Sequence, residues 1–135
     1  MSLVSLLETA VHRHAKHIRM YRRLKIESLN ERTIDTVKRY VGRLRKFTID
    51  ISTILSSISE DVILSMDQDS LSRLDLLTFY IYEVAVNEEE EVLKALLILQ
   101  NELGIEIVSY KDLEHVRIVR DLAKKINVSI QPLLK

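Results

Sequence analysis

The side chains able to do chemistry begin with three histidines, His12, His14 and His17. Two imidazoles can share a metal on a helix only when they stand three or four residues apart and face the same way. His14 and His17 meet that condition, whereas His12 lies roughly 160° around a helix from His14. No Glu-x-x-His pattern accompanies them, so all three read as structural or solvent-facing and no metal site is expected. Asp67-Gln68-Asp69 begins like a calcium loop, but that pattern requires glycine sixth and glutamate twelfth. Ser72 and Thr78 stand there instead. The run Glu88–Glu91 suggests paired carboxylates, yet acidic residues in the first turn of a helix are explained by its macrodipole. No serine or cysteine nucleophile motif and no glycine-rich phosphate loop is present. The expectation is no catalytic residue, no metal ligand and no cofactor.

The remaining chemistry is charge. The chain holds 20 Lys/Arg and 20 Asp/Glu, but the signs are segregated. Residues 1–46 carry 12 basic against 4 acidic side chains, residues 47–106 carry 2 against 13, and residues 107–135 carry 6 against 3. Clustered Lys and Arg bind phosphate backbones by releasing condensed counterions, and the planar guanidinium also suits stacked bases. Tyr21 and Tyr40 lie in or beside the basic region. Each fits either a base-stacking or a core role, and for Tyr21 the core reading is preferred. The acidic stretch 47–106 would repel nucleic acid, which favours one-sided binding or a basic protein partner.

These groups need a scaffold, and the composition specifies its class. With 135 residues, 47% apolar, two glycines and one proline, the chain has core-forming residues in plenty and few turn formers. That describes an all-α, compact single-domain bundle of five to seven helices. The absence of cysteine excludes disulfides and thiolate zinc sites. No apolar run approaches the roughly 20 residues needed to cross a bilayer, and Met1–Leu7 does not read as a secretory signal. A cytoplasmic protein with no membrane partner is expected. Asn127-Val128-Ser129 matches a glycosylation acceptor by chance. The Ile/Leu/Glu/Lys/Arg-rich composition resembles thermophile usage.

Periodicity places the elements. A helix from about Ser2 to Lys25 puts Leu3, Leu7, Ala10, His14, Ile18 and Tyr21 on one face. His12, Lys16, Arg19 and Arg23 fall opposite. Ser28–Glu31 is a capping-box pattern opening a helix from about Leu29 to Ser57. There Ile34, Val37, Val41, Leu44, Thr48, Ile51, Leu55 and Ile58 keep a strict three–four alternation, with Arg32, Arg39, Arg43 and Lys46 on the other side. Ser59-Glu60-Asp61 caps a short turn through Met66. Asp67–Ser70 starts a helix from Leu71 to Val86 that is apolar at nearly every angle, hence buried on most sides. The aromatic, branched stretch Thr78–Val84 leaves a buried strand as the alternative. Asn87–Glu90 caps the next helix, which ends at Gly104. Ile105–Val108 is an extended link, and Ser109–Asp112 opens a last helix that Asn127 and Pro132 terminate. The domain divides into a basic N-terminal helix, 1–27, and the remaining bundle, 28–135.

Three stretches resemble a known family. Ser28-Leu29-Asn30-Glu31-Arg32 through Val41-Gly42-Arg43-Leu44-Arg45 is similar to the second long segment of the NusB antitermination factors. It is likewise similar to that of the NusB-like N-terminal domain of RsmB/Sun-type rRNA cytosine methyltransferases. Ser72–Leu77 through Tyr82-Glu83 is similar to the family's core helix, and Ala85-Val86-Asn87-Glu88 with Val92-Leu93-Lys94 to the helix that follows. The match covers roughly residues 28–103. Only Val84 stands where the family has a loop of about ten residues, and the family's C-terminal Phe-Val-Asn-x-Val-Leu signature is missing. The resemblance implies an all-helical fold of two packed subdomains, no catalysis, and RNA contact by the N-terminal helix. By position that means His12, Arg13, Lys16, Arg19, Arg22 and Arg23. Joined with the second basic stripe, the candidate RNA-binding set gains Arg39, Arg43 and Lys46. The competing expectation is a non-catalytic assembly subunit or homo-oligomer that pairs chains through the Ile34–Ile58 heptad or through opposite charges.

Overall fold

A computed structural model describes residues 2–24 and 31–135, the side chains of 31 and 32 excepted. Its helices are α1 (Leu3–Met20), α2 (Glu31–Ser56), α3 (Glu60–Leu64), α4 (Gln68–Tyr80), α5 (Val86–Leu103) and α6 (Tyr110–Ile130). Among the described residues there is no strand, which settles Thr78–Val84 as helical. None of the helices is long and apolar enough to cross a membrane.

Local chemistry explains most of the boundaries. Ser2, Ser59 and Asp67 cap α1, α3 and α4, each side chain accepting the amide N–H three residues on. Ser109 and Asp112 form a reciprocal capping box at α6. Gly104 ends α5 with φ +66°, the left-handed conformation that favours glycine. The α1 helix stops at Met20 and tightens into a 3₁₀ turn, Tyr21–Arg23, short of the expected Lys25. The Ser28–Glu31 capping box lies outside the described residues.

Packing overrides local signals in three places. Asn87 does not start a helix: α4 and α5 form one continuous rod, joined through a π-helical turn at Ile81–Ala85. That wider turn brings Ile81, Ala85 and Val86 all to the buried side. The Asn87 amide donates to Glu83 O instead. Asn127 does not end α6 either; it is buried inside it, donating across to Asp75 Oδ1 and Thr78 Oγ1 at 2.9 and 3.0 Å. The helix runs on to Ile130, and Pro132 sits in a closing 3₁₀ turn. Finally, α4 is not buried on most sides, since Leu76 is 70% and Phe79 51% exposed.

The core runs through every helix, with Leu7, Leu44, Ile51, Leu55, Leu74, Ile81, Leu93, Leu96 and Ile130 fully enclosed. The α2 helix packs on α1 and α6, and α6 in turn on α4 and α5. Its heptad face is spent on these intrachain contacts: Val37, Val41, Leu44, Thr48, Ile51, Leu55 and Ile58 are all buried. The extended link after Gly104 is held by two side chains: Gln100 Oε1 accepts the N–H groups of Ile107 and Val108 at 2.6 and 2.7 Å, and Arg45 donates to Ile107 O at 3.1 Å.

Candidate nucleic-acid interface

The α1 helix is two-faced, and its histidines divide between the faces. His14 and His17 point inward and are 1% and 5% exposed, while His12 is on the outside. His14 Nε2 donates to Glu89 Oε1 at 2.6 Å, and Thr48 Oγ1 donates to the same carboxylate at 2.8 Å. One buried glutamate from α5 thus ties α1 to α2. His14 Nδ1 is buried with no partner among the described residues. His17 Nε2 donates to Tyr40 O at 2.8 Å, and the Tyr40 hydroxyl returns a bond to His17 O at 2.9 Å. The two rings stack at 4.1 Å, with Phe47 edge-on to His17 at 5.3 Å.

This places His14 and His17 on different partners, and the described residues include no cluster of three groups able to hold a metal. Burial and, secondarily, the nearby Arg43 charge push the His17 imidazole below its ordinary pKa despite its bond to Tyr40. The Tyr40 and Tyr21 phenols are pushed up, each chiefly by burial. Tyr40 is a core residue and Tyr21 a half-buried one at the core's edge. Sequence reasoning missed Glu89, assigning it to the charged first turn of a helix. In fact the helix is already under way there, and Glu89 faces the core.

On the outer side, His12, Arg13, Lys16, Arg19, Arg22, Arg23, Arg39, Arg43 and Lys46 are all exposed. Among the described residues none of these nine forms an ion pair. Three shallow grooves connect most of them. One of about 460 Å³ is lined by Glu8, Thr9, His12, Arg13 and Lys16. The next, about 480 Å³, shares His12 and Lys16 and continues through Arg19, Met20 and Arg23. Met20 is then shared with a third groove, about 200 Å³, where His17 and Leu24 meet Thr36, Arg39, Tyr40 and Arg43 of α2. Basic side chains therefore follow one another in a track through neighbouring grooves from α1 to α2. Arg22 stands off it, in a separate groove with Glu88 and Glu91, and Lys46 lines none of these three grooves.

The acidic middle of the sequence does not neutralise this track. Among the described residues none of its carboxylates forms an ion pair with the track's cations; Glu90, for example, pairs with Arg120 at 2.6 Å and Lys94 at 3.1 Å. Glu90 is held below the usual carboxylate range, first by its hydrogen bond from Arg120 and then by Lys94. Arg45, on α2 beside the basic stripe, is diverted by a bidentate bond to Asp112 at 2.7 and 2.8 Å. No family model, no curated protein and no solved structure matches the chain.

Proposed function

We propose that the chain is a non-catalytic, cytoplasmic RNA-binding module that grips the sugar–phosphate backbone along the outer faces of α1 and α2. One observation carries the reading: exposed Lys, Arg and His side chains with no ion pair among the described residues line three grooves that share His12, Lys16 and Met20. Unpaired surface cations gain by releasing the counterions condensed on phosphate, whereas a cation already bridged to a carboxylate must give up one partner for another. The NusB-like resemblance belongs to the same proposal, supported by an all-helical chain whose leading helix bears the basic face.

The test is RNA affinity measured across salt concentration. Binding should weaken linearly in log–log terms, with a slope reporting the phosphates engaged. Replacing Arg19 and Arg23 by glutamate should reduce affinity more than a hundredfold at low salt while leaving helicity intact. Unchanged affinity in that folded variant removes the proposal.

A second reading, protein association, is favoured by the exposed apolar pair Leu76 and Phe79 on α4. The heptad no longer supports it, since that face is buried within one chain. A basic protein at the acidic region, or a second copy of this chain, would be its partner. Light scattering decides on the second copy: a monomer at micromolar concentration removes it.

A further inference from the structure

The basic faces of α1 and α2 present cations and turn their aromatic rings inward. Tyr40 is 5% exposed; its hydroxyl donates to His17 O and its ring stacks on His17 at 4.1 Å. Half-buried Phe47 sets its ring against His17 at 5.3 Å, and half-buried Tyr21 packs beside Tyr40 at 5.8 Å. Among the described residues the exposed aromatics are Phe79 and Tyr110, which stand on α4 and α6. Residues 25–30 add none, since the sequence there is Lys-Ile-Glu-Ser-Leu-Asn. Surfaces that hold unpaired bases interleave aromatic platforms with their cations, because stacking supplies much of the affinity. Here the rings near the cations are used inside the fold.

The cations themselves stand in two rows. The helices run antiparallel: Tyr21 and His17 of α1 meet Tyr40 of α2, while His14, a turn earlier, shares Glu89 with Thr48, two turns later. Lys16, Arg19 and Arg23 follow one helix, and Arg39 and Arg43 follow the other. Met20 lies in the groove of each row, so both open to one valley. Packed helix axes lie about 8–10 Å apart, which separates the rows by roughly that distance. A single strand has one line of phosphates and occupies one row. A duplex has two, and in A-form RNA they face each other across a major groove too deep and narrow for a helix to enter. We infer that the track binds double-stranded RNA, lying across that groove so that α1 holds the phosphates of one strand and α2 those of the other. The inference rests on the RNA-binding reading and names the kind of RNA it takes.

The experiment uses the full chain and two ligands of nearly equal phosphate number, a blunt RNA duplex of about 16 base pairs and an unstructured uridine strand of about 32 nucleotides, both sizes chosen to exceed the rows. The duplex should bind at least about tenfold tighter at low salt. Any positive patch gains somewhat from the duplex's denser charge, so the deciding step removes one row alone. Arg39→Ala with Arg43→Ala should lower duplex affinity about tenfold or more and single-strand affinity less than about threefold, because a single strand still has the α1 row. A single strand that binds as tightly as the duplex, as it would if bases stacked on the arginines, overturns the duplex inference and leaves the RNA-binding reading standing. An equal loss for both ligands in the variant overturns it too. If neither ligand binds the wild-type chain, both readings fall together. Both arginines are exposed, and an unchanged urea midpoint shows that the variant is folded; the wild-type comparison decides without it.

Discussion

Arginine does opposite work at the two ends of this molecule. At the α5–α6 contact, Arg120 is half-buried and bonded to both Asn87 and Glu90. On α1 and α2, Arg19, Arg23, Arg39 and Arg43 are exposed, with no ion pair among the described residues. The sequence itself places acidic residues in abundance, 13 of them between 47 and 106, so neutralising partners exist. Among the described residues none of them pairs with these four arginines, although Asp50 lies on α2 and Glu89 bonds both helices from within the core. A salt bridge that fastens two helices is complete as it stands. A cation track with no ion pair among the described residues is left to solvent, and phosphate is the partner proposed for it.

The sharpest way to break this contrast is to attack what holds the basic face in place. Glu89 is 4% exposed and receives bonds from His14 and Thr48. Glu89→Ala should cost about 2 kcal/mol, because it leaves the buried His14 Nε2–H unsatisfied in addition to His14 Nδ1, while the Thr48 hydroxyl keeps its bond to Leu44 O. Glu89→Gln, which keeps an acceptor, should cost less than half as much. Urea denaturation measures both. A cost under about 1 kcal/mol for Glu89→Ala would mean that α1 is held by apolar packing alone, and the polar clamp would have to be abandoned.

Next in size is the double substitution Arg39→Ala, Arg43→Ala. It should leave the urea midpoint in place and lower RNA affinity tenfold or more at low salt, with the salt slope reduced by about two, one per phosphate contact. A shift in stability without a shift in slope would assign these arginines to the fold and erase the difference between the two regions.

How much of this was legible beforehand depends on the range of each signal. Asp67, Ser59, Gly104 and the Ser109–Asp112 box act over three or four residues, and the chain folds as those residues say. The basic faces were legible too, since a 100° turn per residue fixes which side chains stand opposite Leu7, His14 and Ile18. Asn87 carries equally good capping chemistry, yet Ile81, Ala85 and Val86 gain more by burial in one rod than a new helix start would give. Asn127 likewise has its partners, Asp75 and Thr78, about fifty positions away in the chain. Glu89 meets a histidine 75 residues distant, and no local pattern encodes that meeting. Nor could spacing show that Met20 would join the grooves of α1 and α2, because that depends on how the two helices cross.

His17 gives a smaller, pH-dependent effect. Its folded pKa lies below the ordinary value near 6.5 because burial and Arg43 oppose the charge. The unfolded chain therefore binds a proton first as pH falls, so the stability contributed by neutral His17 is full above about 6.5 and drains away below it. Denaturation midpoints measured from pH 7.5 to 5 should decline, and His17→Phe should flatten part of the decline. An unchanged slope in that variant would place the acid sensitivity elsewhere.

The smallest effect tests the other end of the comparison. Arg120→Ala removes one bond to Glu90 but leaves Lys94 beside it, and the pair is partly solvated, so about 1 kcal/mol or less is expected. Its signature is electrostatic: Glu90 sits below the usual carboxylate range chiefly through Arg120. The stability it contributes is present above the unfolded pKa and is lost as pH falls through the lowered value. Without Arg120 the Glu90 titration should move back up toward its ordinary range, readable from its carboxyl carbon resonance. RNA affinity and its salt slope should not move at all, since this arginine already has its anion. If they did fall with Arg120, the binding surface would extend across α6, and the division between paired and unpaired cations would cease to predict where nucleic acid lies.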